Sequence, residues 1–185
     1  MRHRRKWLGV MLLVMLGLLV LAGQVSASEA LQGDECIIAA DEIIESDLYV
    51  ICNSLLIEGT VQGDLIGGAW GATIAAGGTV EGDVWLVGGQ LRIDGAVADD
   101  IRFAGVDLDI TGEADLQPSS DVSAFALNVE VWDRATIPGD VNVFGYQAII
   151  RGNVNRDVNF NGSALVLAGA VDGDVYASVG SSDTS

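Results

Sequence analysis

Carboxylates are the only plentiful reactive groups in this 185-residue chain, which carries 26 Asp and Glu against nine Lys and Arg. Groups of this kind can ligate calcium, act as acid and base at a glycosidic bond, or fix turns by accepting backbone hydrogen bonds. The sole histidine, His3, lies in the N-terminal segment, so proton transfer or nucleophile activation by histidine is excluded from the remainder. Two carboxylate clusters have the composition for polysaccharide chemistry: Asp99 and Asp100 beside Arg102, and Asp107 with Asp109. Cys36 and Cys52 are the only cysteines. They leave open either a disulfide or two small buried thiols, whereas a two-cysteine metal site without histidine lacks ligands.

The spacing of the aspartates decides among these chemistries. Asp47, Asp64, Asp83, Asp100, Asp121, Asp140, Asp157 and Asp174 recur at intervals of 17, 19, 17, 21, 19, 17 and 17 residues. Each is followed by an aliphatic residue: Leu48, Leu65, Val84, Ile101, Val122, Val141, Val158 and Val175. Three positions before each aspartate stand Ile44, Val61, Val80, Val97, Pro118, Ile137, Val154 and Val171, with the proline as the exception. Within a repeat apolar residues alternate, as in Leu55-x-Ile57 and Leu91-x-Ile93, which is the period of a half-buried strand.

Short strands and Gly-Asp corners repeating every 17 to 19 residues predict a solenoid: an all-β, single-stranded parallel β-helix with three faces and about eight coils. The aliphatic after each aspartate is expected to point inward and stack on its equivalents one coil away. The glycines Gly59, Gly78, Gly95, Gly152 and Gly169 are expected to supply positive φ at the corners. Each aspartate is expected to accept a bond from the backbone just beyond it. A calcium ladder is disfavoured because the glycine-rich nonapeptide of calcium-binding β-rolls is absent. Trp70 and Trp132 fall in the two 19-residue coils and are expected to pack under the bulges that the extra residues make. No catalytic residue, cofactor or metal ligand is assigned.

Ahead of the repeats, Arg2, Arg4, Arg5 and Lys6 precede an apolar run from Leu8 to Gly23, and Val25-Ser26-Ala27 fits a small-residue cleavage site. Residues 1–27 therefore read as a signal peptide or as a retained anchor with residues 8–25 in the membrane, either of which places the rest outside the cytoplasm. Residues 28–40 read as a lead-in, 41–180 as the repeat domain and 181–185 as a polar tail. Beyond residue 27 five arginines face all 26 acidic residues, a net charge of −21. Nucleic acid is excluded as a partner, since the arginines are scattered and no lysine remains.

The Val-x-Gly-Asp-Val repeats, at Val61–Leu65, Val80–Val84 and Val171–Val175, resemble those of the bactofilin or polymer-forming cytoskeletal family over residues 41 to about 180. The resemblance implies a right-handed β-helix whose subunits join head to tail into a homopolymer, bind no nucleotide and act as a non-enzymatic scaffold near membranes. Members of that family are cytoplasmic, so the export signal is a departure. A β-helix end presents unpaired strand edges, and no capping segment is evident in the sequence, which leaves two readings: end-to-end pairing, the expected way to satisfy them, or a truncated piece whose cap or membrane helix lies elsewhere. The alternatives are a cell-surface binding module on the same fold and, further off, a polysaccharide-active enzyme.

Overall fold

The computed structural model describes residues 28–180. It is an all-β solenoid of parallel strands with about eight turns. Among the described residues no helix is long and apolar enough to cross a membrane. Each full coil contains one ten-residue strand and one two-residue strand. The long strands run Glu29–Ile38, Leu48–Ile57, Leu65–Ile74, Val84–Ile93, Ile101–Ile110, Val122–Val131 and Val141–Ile150. The next coil is split into Val158–Gly162 and Ala164–Leu167, and Val175–Val179 ends the series. These strands pair in sequence order with a register of one coil.

Each long strand covers two of the three faces, and the burial pattern shows how. In Val84–Ile93 the buried aliphatics are Val84 and Leu86 at one end and Leu91 and Ile93 at the other. A flat strand buries alternate residues only, so this change of phase requires a corner between the two halves. The register skips one residue at that place in every pair of ten-residue strands, for instance Trp70 between Ala69↔Gly88 and Gly71↔Gln90. Residues just before the skip are small (Cys52, Ala69, Gly88, Gly105, Ala126 and Gly145), which lets the backbone turn against the coil below.

The core is a stack of aliphatic columns. Leu48, Leu65, Val84, Ile101, Val122, Val141 and Val158 are all buried and lie in register. Val61, Val80 and Val97 make a second column on the third face. Burying one such side chain is worth about 1.5–3 kcal/mol, and no coil could close an interior alone.

Four expectations need correction. Residues Glu29–Ile38 are not a lead-in but the first rung, paired with Leu48–Ile57. They escape the repeat pattern because Ser28 and Glu29 occupy the places of the aspartate and its aliphatic. In the 21-residue coil the third-face position belongs to Leu116, paired with Val97, and not to Pro118, because two extra residues follow that short strand. The corner glycines do not adopt positive φ; Gly67 and Arg134 do. Gly78 and Gly95 are needed for close approach instead, since a Cβ would run into the carbonyl oxygens of Ile57 and Ala75. Lastly, the tryptophans lie outside. Trp70 is 69% exposed and rests across Gly89, and Trp132 is 41% exposed beneath the Arg92 guanidinium.

One proline leaves a mark. The residue after the short strand donates its N–H to the coil before it at Gln62, Glu81, Ala98, Gln117, Asn155 and Asp172. Pro138 stands at that place and has no N–H, and there the third-face sheet is interrupted between Asp115–Leu116 and Thr136–Ile137.

Cys36 and Cys52 form a disulfide with Cα atoms 6.2 Å apart, tying the first rung to the second. Closing a loop of this length stabilises by about 3 kcal/mol. Reduction, or Cys52→Ser, is expected to release the first rung: hydrogen exchange should speed up over Glu29–Ile38 while Val84–Ile93 stays protected. Uniform exchange along the rod would contradict this local effect.

Candidate functional site

Two features outside the core combine chemistry with order: a ladder of aspartates along one corner and an outward face beside it. In the ladder, the Oδ1 of every aspartate from Asp47 to Asp157 accepts the backbone N–H of the next aspartate one coil on. The distances for acceptors Asp47, Asp64, Asp83, Asp100, Asp121, Asp140 and Asp157 are 3.1, 2.9, 2.9, 2.9, 2.7, 3.0 and 2.8 Å. The expected bond to the backbone just beyond each aspartate is replaced by a bond between coils. The reason is reach: a carboxylate at a corner stands under the N–H of the next coil, about 4.8 Å away along the axis. Gly63, Gly82, Gly139 and Gly173 each lie directly against the preceding aspartate's Oδ1, where a Cβ would obstruct it.

Arginine side chains bridge successive rungs of this ladder. Arg102 reaches Asp83 Oδ2 at 2.9 Å and Asp100 Oδ2 at 2.6 Å, and lies 4.4 Å above the Trp85 ring. Trp85 Nε1 also donates to Asp83 Oδ2 at 3.0 Å. Arg156 spans Asp140 at 3.2 Å and Asp121 at 3.8 Å. Burial pushes the Asp83 carboxyl up, but hydrogen bonds from Trp85, the Asp100 backbone and Arg102, with the Arg102 charge, hold it below its ordinary value. Asp94 is likewise held low against burial by Arg92 and Thr111. From Asp83 to Asp140 the arginines thus relieve the like-charge repulsion of the ladder by pairing.

The two clusters suited to carboxylate chemistry are not brought together. Asp100 and Arg102 belong to the ladder face. Asp107 and Asp109 point from the second face, where Asn128 donates to Asp107 at 2.7 Å and Gln90 to Asp109 at 2.9 Å. The insertions of the 21-residue coil are internally satisfied: Thr111 Oγ1 donates to Asp94 at 2.7 Å and Ser120 Oγ to the Ala98 carbonyl at 3.3 Å, both residues being buried. Among the described residues no three His, Cys, Asp or Glu side chains are grouped to hold a metal ion.

The outward face adjoining the ladder is the feature that composition alone conceals. Two columns form it. The first holds Tyr49, Ile66, Trp85, Arg102, Ser123, Asn142, Asn159 and Tyr176; the second holds Ile51, Gly68, Val87, Ala104, Phe125, Phe144, Asn161 and Ser178. Neither column contains an Asp or Glu, in a chain with 26 of them. Ile51, Val87, Phe125 and Phe144 are 70, 62, 72 and 57% exposed. Between the large residues, the small Gly67 and Ala104 leave a shallow groove of about 570 Å³, lined from Ile66 to Phe144 and almost wholly apolar.

The first of these columns, read by itself, interrupts its aromatics with the run Arg102, Ser123, Asn142 and Asn159 and suggests no platform. The second supplies the apolar surface, and its signal is an apolar residue four places after the aspartate, where period-2 alternation calls for a polar one. No family model matches the chain, and no match was found among curated proteins or solved structures.

Proposed function

We propose that the protein is a non-enzymatic structural scaffold, bactofilin-like, that is exported and polymerises end to end outside the cytoplasmic membrane. The family reading rests on the repeat residues. The export signal or anchor falls in residues 1–27, outside the described residues, as does the 181–185 tail. Support for self-association comes from the last described rung. Val175 occupies the column that is buried in every coil from Leu48 to Val158, yet it is 43% exposed; Leu167, in register with the buried Ile150, is 38% exposed. Among the described residues Asp174 donates its backbone N–H to Asp157 Oδ1 at 2.8 Å, so the ladder runs through to this rung.

Electron microscopy at moderate salt tests this reading. Filaments one solenoid wide, with a subunit repeat of about 40 Å set by the coil spacing, are expected, and Val175→Glu should abolish them while leaving the β-rich circular dichroism intact. Persistent monomers of the unaltered protein would overturn it. In a head-to-tail joint, Glu29 of one copy would sit on Val175 of the next. Glu29 takes the place of a core aliphatic in the first rung and is exposed, and burying a lone carboxylate is costly. Glu29→Val is therefore expected to lower the critical concentration for assembly; no change would exclude the head-to-tail arrangement.

The apolar groove on the side of the rod favours a second reading, a cell-surface binding module. The two are compatible, since assembly uses the ends and the groove lies between them.

A further inference from the structure

We propose that the acid-free face is a docking site for a cationic amphipathic segment of a partner protein, apolar in its middle and basic toward both ends. The proposal does not depend on polymerisation. Three large apolar side chains that line the groove, Val87, Phe125 and Phe144, stand exposed in one column. Contiguous apolar surface of this kind on an otherwise charged molecule marks an interaction site.

Charge complementarity identifies the occupant. The aspartate ladder flanks the groove on the same side, as the bonds from Trp85 and Tyr176 to Asp83 and Asp174 show. Arg102 and Arg156 pair the ladder's central members, Asp83 to Asp140. Among the described residues Asp47 and Asp64 at one end, and Asp157 and Asp174 at the other, have no cationic partner. Unpaired carboxylates thus bracket an apolar middle, with Asp64 and Asp157 about 24 Å apart at five coil spacings. The face is about 13 Å wide at the rise of a strand, close to the diameter of one α-helix, and about 16 helical residues span the groove.

Other occupants fit less well. A lipid surface seated on Phe125 and Phe144 would have to desolvate the adjacent aspartates. A second copy brings another strongly acidic rod, and the groove's area of roughly 300 Å², from the same spacings, falls well short of the about 800 Å² per partner of a stable interface.

The experiment titrates three synthetic peptides of about 18 residues into the purified full-length protein by calorimetry. The first has an apolar helical face with Lys and Arg elsewhere, the second the same apolar face with Glu, and the third keeps the Lys and Arg but carries Ser on that face. Saturable binding by the first alone is expected, weakened at least about tenfold by Phe125→Asn with Phe144→Asn. Asp64→Asn with Asp157→Asn should flatten its salt dependence. Equal binding of the first and third peptides, indifference to the phenylalanine substitutions, or Phe125-dependent capture of the protein by zwitterionic vesicles in place of the peptide would each overturn the proposal.

Discussion

Ile101→Asp is expected to destroy the cooperative β-rich fold. Ile101 is fully buried in the middle of the central column, paired with Val84 on one side and Val122 on the other. A carboxylate placed there has no donor within the aliphatic stack, and such burial belongs to the class of substitutions costing more than about 4 kcal/mol. Solenoid stability is close to a sum of nearest-neighbour terms, so a break at the centre separates two half-rods that are each too short to hold. Ile101→Val, which deletes one methyl group, should cost about 1 kcal/mol and keep the fold. Circular dichroism and thermal melting of the pair distinguish the outcomes: an aspartate variant that melts like the valine variant would mean that the column is not the core.

The second large effect is expected at the ladder. Asp100→Ala removes the acceptor for the Asp121 N–H and one of the two carboxylates that hold Arg102. Leaving a half-buried donor unsatisfied costs about 1–3 kcal/mol. Asp100→Asn keeps an oxygen in the Oδ1 place and should retain most of that stability, so the order wild type, Asn, Ala in denaturant midpoint tests the hydrogen bond apart from the charge. If Asn and Ala were equally harmful, charge and not the inter-coil bond would be the main contribution.

A pH dependence follows from the neighbouring Asp83. Its folded value is depressed, so the stability it contributes is fully present above the ordinary unfolded value of about 3.9 and is lost as pH falls through the folded value. The stability difference between wild type and Asp83→Asn should therefore be flat near neutrality and shrink only in acid. A difference that grew on acidification would have the wrong sign for a paired carboxylate.

Much of this was readable in the chain because a solenoid turns sequence period into spatial register. An aspartate and an aliphatic returning every 17 to 21 residues must stack if each coil adds one rung, so the fold class, the coil number and the inward column from Leu48 to Val158 follow from spacing. Three things needed the tertiary structure, each because it depends on what lies one coil away. The partner of each aspartate is a neighbour in space about one repeat distant, so a local-turn reading aims the hydrogen bond at the wrong N–H. The first rung lacks the repeat residues, and only its pairing with Leu48–Ile57 reveals it. The apolar face arises because Ile51, Val87, Phe125 and Phe144, up to 93 residues apart in the chain, fall into one column only after the coils close, and side chains exposed singly along a sequence carry no sign of one another until stacking lines them up on one side of the rod.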